Sequence, residues 1–510
     1  MLENRDRPGN IISPGCFSRN TEAQMKPNII IFMTDQWRGD YTGPAGHPYI
    51  KTPNYDRMAS EGMVFNQAYV TNPVCTPSRC SFCTGWYPHT RGHRSQDFLV
   101  DHEEPHLFSY LKEQGYHIAW GGKNDMLTEK AIAESVDTIL TPDNAGSMWG
   151  GNLMTGEGGP YSLDDPRYYS FHFGEIEEDF ERHPDVMLVR AAQDFLRNPP
   201  SEPFCLWVNT TFPHPPYAAP EPFFSMYDPE DMEPPVSHGE ISGEPEYMSI
   251  LRNVSRMNEV DAGHFSRIKA LYCGMITMMD QLFGDLIDTM KETGNYDRSA
   301  VFKTSDHGNY NGDYGLPEKW FISFHDAILR VPLAVKLPHQ TNHGVNDKLV
   351  QHIDVFGTIL DLLDIQPRWS HFGQSLLPMI NGEKIEHRDA VYADAGANLL
   401  CDEPISIERA VVAGFEPECS YYPNRVVFQN YPVAACRSTM IRTRQWKYIW
   451  RQQDKDELYN LTDDPCEQVN LLAGNCTDEI CSIKSSLQSK LFQWYVETGD
   501  VLEPENYKKQ

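Results

Sequence analysis

The sequence contains the stretch Asn28-Ile-Ile-Ile-Phe-Met-Thr34, a continuous apolar run that follows Pro27 and ends in a polar residue. An apolar run of this length without polar alternation predicts a strand that is buried on both faces of its sheet. Similar runs lie further along the chain, at 117–121, 204–209, 300–305 and 332–337. We therefore expect a sheet whose strands are widely spaced along the chain.

The segments between these runs have helical patterns. Short helices are expected at 104–114 and 186–197, and the clearest helix covers about 264–293, where apolar residues recur at helical spacing. Gly294 follows that helix as the expected C′ residue. Strands that alternate with helices predict the α/β class, with a large, mostly parallel sheet sandwiched by helices.

Composition divides the chain into three parts. Residues 1–25 are polar and predict an N-terminal extension. The polar break at Gly382–Arg388 predicts a boundary between a large domain, 26–385, and a smaller C-terminal domain, 386–510.

The smaller domain has strand-like and helix-like segments. We expect one strand at Ser438–Trp450, a second at 456–461 and a final helix at about 478–498. In the large domain, Pro215–Gly263 shows little periodicity and predicts a long excursion across the surface.

The net charge of −29 excludes the usual partners of basic proteins, so neither nucleic acid nor an anionic membrane is expected to bind. No run of eighteen apolar residues predicts a membrane helix, and residues 1–25 contain no apolar signal region. The twelve cysteines are scattered along the chain, as in proteins with reduced thiols. A cytoplasmic location is therefore expected.

Polar residues follow two of the predicted strands directly. Asp35 and Gln36 come after the first strand, and Asp306 and His307 come after the strand near 302. Ligands of parallel sheets collect at the carboxyl ends of strands. An oxygen-rich set with one imidazole favours Ca²⁺ or Mg²⁺ and permits Mn²⁺. The alternative for each aspartate is a helix N-cap.

Three nearby cysteines allow several interpretations. Cys75, Cys80 and Cys83 have the spacing of a plant-type iron–sulfur ligand run, but the next cysteine is far downstream. A zinc site would need His89 or His93 as a further ligand. Buried thiols used only for packing are a third interpretation, which we prefer for Cys80 and Cys83. For Cys75 it leaves the following Pro-Ser-Arg unexplained.

The segment Cys75-Thr-Pro-Ser-Arg79 resembles the modification signature of the formylglycine-dependent sulfatases, a family of the alkaline-phosphatase superfamily. The family's other motifs occur in the family's order: Asp35-Gln36, Thr84-Gly85, Gly122-Lys123, Pro213-His214, Asp306-His307-Gly308 and Lys319. The resemblance spans roughly residues 26–500. It implies an alkaline-phosphatase-like α/β catalytic domain and a smaller C-terminal α+β domain with an antiparallel sheet.

The resemblance also implies a metal centre. Asp35, Gln36, Asp306 and His307 would bind one divalent ion, with Ca²⁺ expected before Mg²⁺ or Mn²⁺. An oxygen of modified Cys75 would complete the set. The modification is oxidation of the cysteine to formylglycine by a separate maturase enzyme, which makes that enzyme an expected partner.

The remaining motif residues would act on the sulfate. Arg79 would fix the hydrated aldehyde, since its planar fork suits that role better than a lysine. Lys123 and Lys319 would hold the sulfate oxygens, where charge builds in the transition state. His214 would serve the leaving alkoxide as general acid. One hydroxyl of the aldehyde hydrate would attack sulfur, and the other would expel the sulfate and restore the aldehyde.

Substrate contacts are expected from residues close to the motifs. Arg91, His93 and Arg94 could recognise a carboxylate or a second sulfate, and Trp320 could stack on a sugar ring. Asp125 stands where many carbohydrate sulfatases have a histidine, so it would bind a substrate hydroxyl or orient Lys123. A small sulfated saccharide is the preferred substrate class.

Two other functions stay open at this point. The same motifs resemble phosphonate monoester hydrolases and phosphodiesterases, which share the aldehyde nucleophile, although Lys123 favours sulfate monoesters. A catalytically silent binding protein on this fold is the third interpretation. Among partners, the sequence excludes a membrane and leaves a homo-oligomer open.

Overall fold

The computed structural model describes residues 26–140, 159–383, 385–397 and 415–501. The predicted N-terminal extension, 1–25, lies outside these ranges. Among the described residues, no helix combines the length and the apolar character needed to cross a membrane.

The strands of the described residues are numbered in chain order. They are β1 Asn28–Thr34, β2 Met63–Phe65, β3 Ala68–Tyr69, β4 His117–Gly122, β5 Thr138–Leu140, β6 His172–Glu175, β7 Phe204–Asn209, β8 Tyr217–Ala219, β9 Ser299–Ser305, β10 Arg330–Val331, β11 Leu333–Lys336, β12 Gly344–Asn346, β13 Val350–Gln351, β14 Ala390–Ala395, β15 Ser438–Thr443, β16 Trp446–Arg451 and β17 Glu457–Asn460.

The α-helices follow the same convention. They are α1 Pro53–Glu61, α2 Cys75–Thr84, α3 Pro88–Arg91, α4 Leu107–Glu113, α5 Glu129–Ser135, α6 Pro184–Arg197, α7 Glu246–Val254, α8 Ala262–Glu292, α9 Asp326–Leu329, α10 Ile353–Leu362, α11 Leu377–Ile380, α12 Tyr422–Asn430 and α13 Asp478–Glu497. Short 3-10 turns lie at Pro166–Ser170, Phe180–Arg182, Pro229–Asp231, His238–Glu240, Met257–Glu259, Asp313–Gly315 and Pro432–Ala435.

The large sheet has eight strands in the order β12-β2-β11-β9-β1-β7-β4-β5. The central strands β9, β1, β7 and β4 run parallel, as expected, whereas β11 is antiparallel to β9 and to β2. The prediction of a large, mostly parallel sheet between helices is confirmed. The apolar run at 332–337 gives no sign of its direction, because direction is set by the connection and not by the strand's own residues.

The two faces of β1 enter different cores. Ile29, Ile31 and Met33 belong to one apolar cluster, while Ile30 and Phe32 belong to the other. Side chains of a strand alternate between faces, so a continuous apolar run satisfies both clusters. The predicted long helix is α8, which packs in the second cluster and has Gly294 two residues beyond its last residue, with φ +69°.

The C-terminal part forms a four-stranded antiparallel sheet in the order β14-β15-β16-β17. The prediction of one strand at Ser438–Trp450 is wrong, because the segment folds into the hairpin of β15 and β16. The two turn residues, Arg444 and Gln445, lack the glycine or asparagine that usually signals a tight turn. The domain boundary near 386 stays a prediction.

The predicted excursion at Pro215–Gly263 contains more structure than its sequence suggests. It includes β8 and the nine-residue helix α7, whose buried side chains include Tyr247 and Leu251. A single helix of this length carries too few apolar repeats to stand out from its surroundings.

Candidate active site

The carboxyl ends of β1 and β9 place two carboxylates side by side. Thr34 pairs with Ser305 in the parallel register, so Asp35 and Asp306 leave the sheet together. The backbone N–H of Gln36 donates to Oδ1 of Asp306 at 3.1 Å, and Gln36 has φ +69°, a conformation that L-residues rarely adopt. Such a turn is typical of functional sites, where surrounding structure maintains it.

Helix α2 brings Cys75 to the same edge of the sheet. Cys75 is the first residue of the helix, and its Sγ lies 3.2 Å from Nε2 of His307, 3.5 Å from Nζ of Lys123 and 3.8 Å from Oδ1 of Asp35. Burial and the neighbouring Asp35 raise the pKa of the Cys75 thiol to about 12. The unmodified side chain is therefore a neutral thiol, which is a weak nucleophile.

Four side chains around Cys75 have the arrangement of a metal site. Ligand atoms of Asp35, Cys75, Asp306 and His307 all lie within 4.8 Å of one another, and all four residues are buried. Oε1 of Gln36 is also buried and accepts no hydrogen bond, while Nε2 of the same amide donates to Glu318 at 3.3 Å. A buried acceptor without a donor is costly unless a cation occupies its other side. The residues therefore fit a divalent ion with oxygen-rich ligands.

Cys80 and Cys83 take no part in this cluster. Both lie further along α2, are buried and belong to the apolar core, and the Cys80 thiol contacts backbone oxygens of Phe98 and Met126. Among the described residues no second group of potential ligands reaches metal-binding distances. The packing interpretation is therefore confirmed for these two cysteines, and the iron–sulfur and zinc interpretations are wrong.

Arg79 lies one turn after Cys75 and is fully buried. Its guanidinium donates to Oδ2 of Asp306 at 2.9 Å, to Oδ2 of Asp35 at 3.2 Å and to Oδ1 of Asn209 at 2.9 Å. Burial by itself would raise the pKa of Asp35, but the charges of Lys123 and Arg79 hold that pKa well below its usual value. The modification motif and the carboxylates thus form one charged network.

Lys123 directly follows β4, which is separated from β1 in the sheet by β7 alone. Its Nζ lies 2.6 Å from Oδ2 of Asp35 and 2.9 Å from Oδ2 of Asp125. Asp125 and Asp35 raise the pKa of Lys123 well above its usual value in spite of burial, and Lys123 lowers the pKa of Asp125. Asp125 therefore contacts the lysine, as one of the two predicted roles requires.

His214, Lys319 and Glu318 form a second group of interacting side chains in the site. Oε1 of Glu318 accepts from Nζ of Lys319 at 3.0 Å and lies 3.9 Å from Nε2 of His214. Nδ1 of His214 donates to the carbonyl of Pro215. Burial and the charge of Lys319 lower the pKa of His214 to about 4, so the imidazole is neutral at neutral pH.

These residues open into one cavity of about 400 Å³. Cys75, Lys123, His214 and Lys319 line it, and four aromatic side chains form part of its wall. The described residues that complete the lining are Val74, Gln96, Asp125, Glu318, Trp320, Phe321, Phe415, Tyr421 and Asn424. The indole N–H of Trp320 donates to the carbonyl of Ala434 at 2.5 Å, which fixes the ring in the wall.

The three residues after Thr84-Gly85 that were predicted to contact the substrate do not line the cavity. Arg91 and His93 both approach Oε1 of Glu104, at 3.5 and 3.3 Å. The positive charge of Arg94 instead helps to stabilise the carboxylate of Asp394. None of the three is among the described lining residues, and Gln96 of the same segment lines the cavity in their place.

Besides Gln96 and Asn424, sequence reasoning missed three further polar residues of the site. Asn209 ends β7 and binds Arg79, so the strand-end rule could have found it. Glu318 directly precedes Lys319, but a glutamate next to a lysine in the sequence does not by itself indicate a functional site. Tyr421, which lies 3.5 Å from Glu318 through its hydroxyl, comes from the C-terminal part and has no local motif.

The chain matches proteins of known families along most of its length. The family model Sulfatase matches residues 27–365. Choline-sulfatase of Rhizobium meliloti (strain 1021) is 27% identical over 475 residues, which cover 88% of this chain and 82% of that protein. The multifunctional alkaline phosphatase superfamily protein PehA of Trinickia caryophylli is 27% identical over 412 residues, or 70% and 77%. The ulvan-active sulfatase of Formosa agariphila is 26% identical over 489 residues, or 94% and 83%.

Solved structures have the same fold. Phosphonate monoester hydrolase of Agrobacterium radiobacter superposes with a TM-score of 0.72 at 20% identity, covering 93% of this chain and 96% of that one. BT1596, a 2-O GAG sulfatase, superposes with a TM-score of 0.67 at 20% identity, covering 95% and 94%. The family model covers more than half of the chain, and the curated relatives include sulfatases. The chain therefore belongs to the sulfatase family and is a sulfuric ester hydrolase.

Proposed function

We propose that the protein hydrolyses a sulfate monoester of a saccharide, with a formylglycine made from Cys75 as nucleophile and one divalent metal ion, Ca²⁺ before Mg²⁺ or Mn²⁺. The observation that carries the proposal is the position of Cys75 Sγ, 3.2 Å from His307 Nε2 and 3.5 Å from Lys123 Nζ in a buried cluster of carboxylates. An oxygen attached to the same Cβ would stand close to this position after modification.

The metal would be held by the carboxylates of Asp35 and Asp306, the amide oxygen of Gln36 and the imidazole of His307. When bound, it would polarise the sulfate and lower the pKa of the attacking hydroxyl. Gln36 is poised for this role because Glu318 takes its amide N–H at 3.3 Å and leaves Oε1 without a donor. The amide orientation follows from that contact.

The proposed nucleophile depends on modification of Cys75. The thiol has a pKa of about 12 and is protonated at neutral pH, which makes it a weak nucleophile. It also lacks the second hydroxyl that would release sulfate. A maturase that oxidises the cysteine is therefore a required partner. Arg79 would help to fix the hydrate while it neutralises Asp35 and Asp306.

Two lysines and one histidine would act on the ester itself. Lys123 and Lys319 line the cavity together with Cys75 and would hold the sulfate oxygens through charge-assisted hydrogen bonds. Nδ1 of His214 is engaged by the Pro215 carbonyl, so Nε2 is the atom that would carry a proton to the leaving oxygen. Burial makes these contacts stronger than they would be in water.

A saccharide is preferred because of the cavity's wall. Trp320, Phe321, Phe415 and Tyr421 offer aromatic faces of the kind on which sugar rings pack. The names of the ulvan-active sulfatase and the 2-O GAG sulfatase among the similar proteins support this choice. Choline sulfate is the smaller alternative within the same reaction class.

A second candidate function is phosphonate monoester or phosphodiester hydrolysis with the same nucleophile. The superposition on phosphonate monoester hydrolase and the similarity to PehA favour keeping it. Lys123, whose ammonium lies 3.5 Å from Cys75 Sγ, favours the sulfate monoester, because that ester offers three non-bridging oxygens to cationic donors and a diester or phosphonate monoester offers two.

The test is sulfate release from a panel of sulfated mono- and disaccharides, with p-nitrophenyl sulfate and phenyl p-nitrophenyl phosphonate measured in parallel. We expect sulfate from at least one sugar and a lower kcat/KM for the phosphonate. Cys75→Ala should abolish release, whereas Cys83→Ala, a packing thiol on the same helix, should retain it. A large preference for the phosphonate would favour the second candidate instead.

A further inference from the structure

The charged side chains of the cavity come in pairs of opposite sign. Nζ of Lys123 contacts Oδ2 of Asp125 at 2.9 Å, and Nζ of Lys319 contacts Oε1 of Glu318 at 3.0 Å. Each lysine that would hold the sulfate therefore has a carboxylate beside it that also lines the cavity. Carboxylates in such ion pairs stay ionised at neutral pH.

The rest of the cavity offers little to a second anion. Apart from Lys123 and Lys319, the described lining consists of Cys75, one valine, four aromatic side chains, two amides, the neutral imidazole and the two carboxylates. Arg91 and His93, which the sequence assigned to a second sulfate, contact Glu104 outside this lining. The described part of the cavity thus has cations for one anionic group.

The same carboxylates are well placed to accept hydrogen bonds. Oε1 of Glu318 takes all the contacts named above, from Gln36, Lys319 and Tyr421. The side chain of Asp125 is 30% exposed, and the residue lines the cavity. Ionised carboxylates have about four acceptor positions and only accept, so they suit the hydroxyl and ammonium donors of a sugar.

We propose that this protein selects sulfate esters whose only anionic group is the sulfate that is removed, and that Asp125 and Glu318 reject esters with a second sulfate or a carboxylate. The same two residues would accept hydrogen bonds from hydroxyl or ammonium groups of the substrate. This inference rests on the proposed function and narrows its substrate class. The physical reason is Coulomb repulsion inside a partly buried cavity, where salt screens charges much less than at the surface.

The test compares matched sugars. Hexose and hexosamine monosulfates with sulfate at each ring position are compared with derivatives that carry a second sulfate, on oxygen or nitrogen. Sulfate release is quantified by ion chromatography and the product is identified, so that only loss from the shared position is counted. We expect kcat/KM for the best monosulfate to exceed that of its disulfated derivative by about tenfold or more, since like-charge contacts are strongly unfavourable.

Variants assign the discrimination to the two carboxylates. In Asp125→Asn and in Glu318→Gln, the ratio of monosulfate to disulfate kcat/KM should fall by at least about threefold, even where both rates drop. Asp194→Asn is the matched control, because it removes the same formal charge from an exposed position on α6, 75% exposed beside Arg197, and should leave the ratio unchanged.

The outcomes separate this inference from the proposed function. Equal or faster turnover of the disulfated sugars overturns the inference and leaves the proposed function standing. A monosulfate preference that neither variant reduces also overturns it. If protein with modified Cys75 releases no sulfate from any sugar, the proposed function itself fails, and the inference fails with it.

Discussion

Arg79 donates from Nε to Oδ2 of Asp306 at 2.9 Å, and both side chains are buried. The same guanidinium reaches Asp35 at 3.2 Å. The arginine of the modification motif therefore neutralises the two carboxylates that would bind the metal. This link explains why the motif on α2 and the ends of β1 and β9 must be formed together.

Replacing Arg79 should destabilise the protein strongly. Arg79→Leu removes the arginine partner of buried Asp306 and leaves buried Asp35 with Lys123 alone, and we expect the free energy of unfolding to fall by about 3–5 kcal/mol. Urea unfolding with a chelator present measures this. Arg197→Leu, which removes an exposed ion pair with Asp194, should cost less than about 1 kcal/mol. Equal losses of unfolding free energy in the two variants would mean that the buried ion pairs of Arg79 stabilise the protein no more than the exposed pair does.

Metal binding should be visible without any activity measurement. Saturating Ca²⁺ at about 100 times its Kd should stabilise the folded protein by roughly 2.7 kcal/mol, and so raise Tm relative to the chelator-treated protein. Asp306→Asn should lose this response, because it removes a ligand charge from the cluster. Asp288→Asn, whose side chain is 62% exposed, serves as control. A response that persists in Asp306→Asn would place the ion elsewhere.

Loss of Lys123 should act on the transition state. Lys123→Met removes an ammonium that lies 3.5 Å from Cys75 Sγ, and we expect kcat/KM for sulfate release to fall by about 10²–10³-fold. Lys112→Met, which breaks a surface pair with Asp137, should leave the rate unchanged. If Lys123→Met raised only KM, the lysine would bind the sulfate without favouring the reaction.

The pH dependence should report His214. Burial and Lys319 lower its pKa to about 4, so the imidazolium fraction falls as the pH rises through 4. For an alkyl sulfate, whose leaving alkoxide needs a proton, kcat/KM should therefore decrease with rising pH above about 4. His214→Asn should be slower and should lack this dependence. The same slope in both proteins would assign the acid limb to another group.

The sequence predicted that Asp35 and Asp306 would lie close together, because strand ends are local signals. Asp35 and Asp306 follow apolar runs that are neighbours in the sheet, and so their meeting at one edge follows from the parallel topology. Cys75 and Lys123 were found by their motifs. Their distances to each other depend on packing of α2 and β4, which no local pattern encodes.

The cavity wall could not be predicted in the same way. Tyr421 and Phe415 reach the cavity from the C-terminal part of the chain, far from every motif. Arg91 and His93 are close to a motif in the sequence, but in the structure both contact Glu104 and neither lines the cavity. Partners of this kind are set by tertiary contacts, so proximity in sequence misleads about substrate residues.

The central claim is that Cys75, and neither Cys80 nor Cys83, is converted to formylglycine. Trypsin separates the candidates, because Met58–Arg79 contains only Cys75 and Cys80–Arg91 contains the other two. In active protein from its native host, the first peptide should have the mass of the aldehyde, and the second should carry two thiols. If the protein is inactive and the first peptide has the mass of unmodified cysteine, a binding role is favoured instead. If the protein is active and the first peptide still has the mass of unmodified cysteine, the central claim is contradicted.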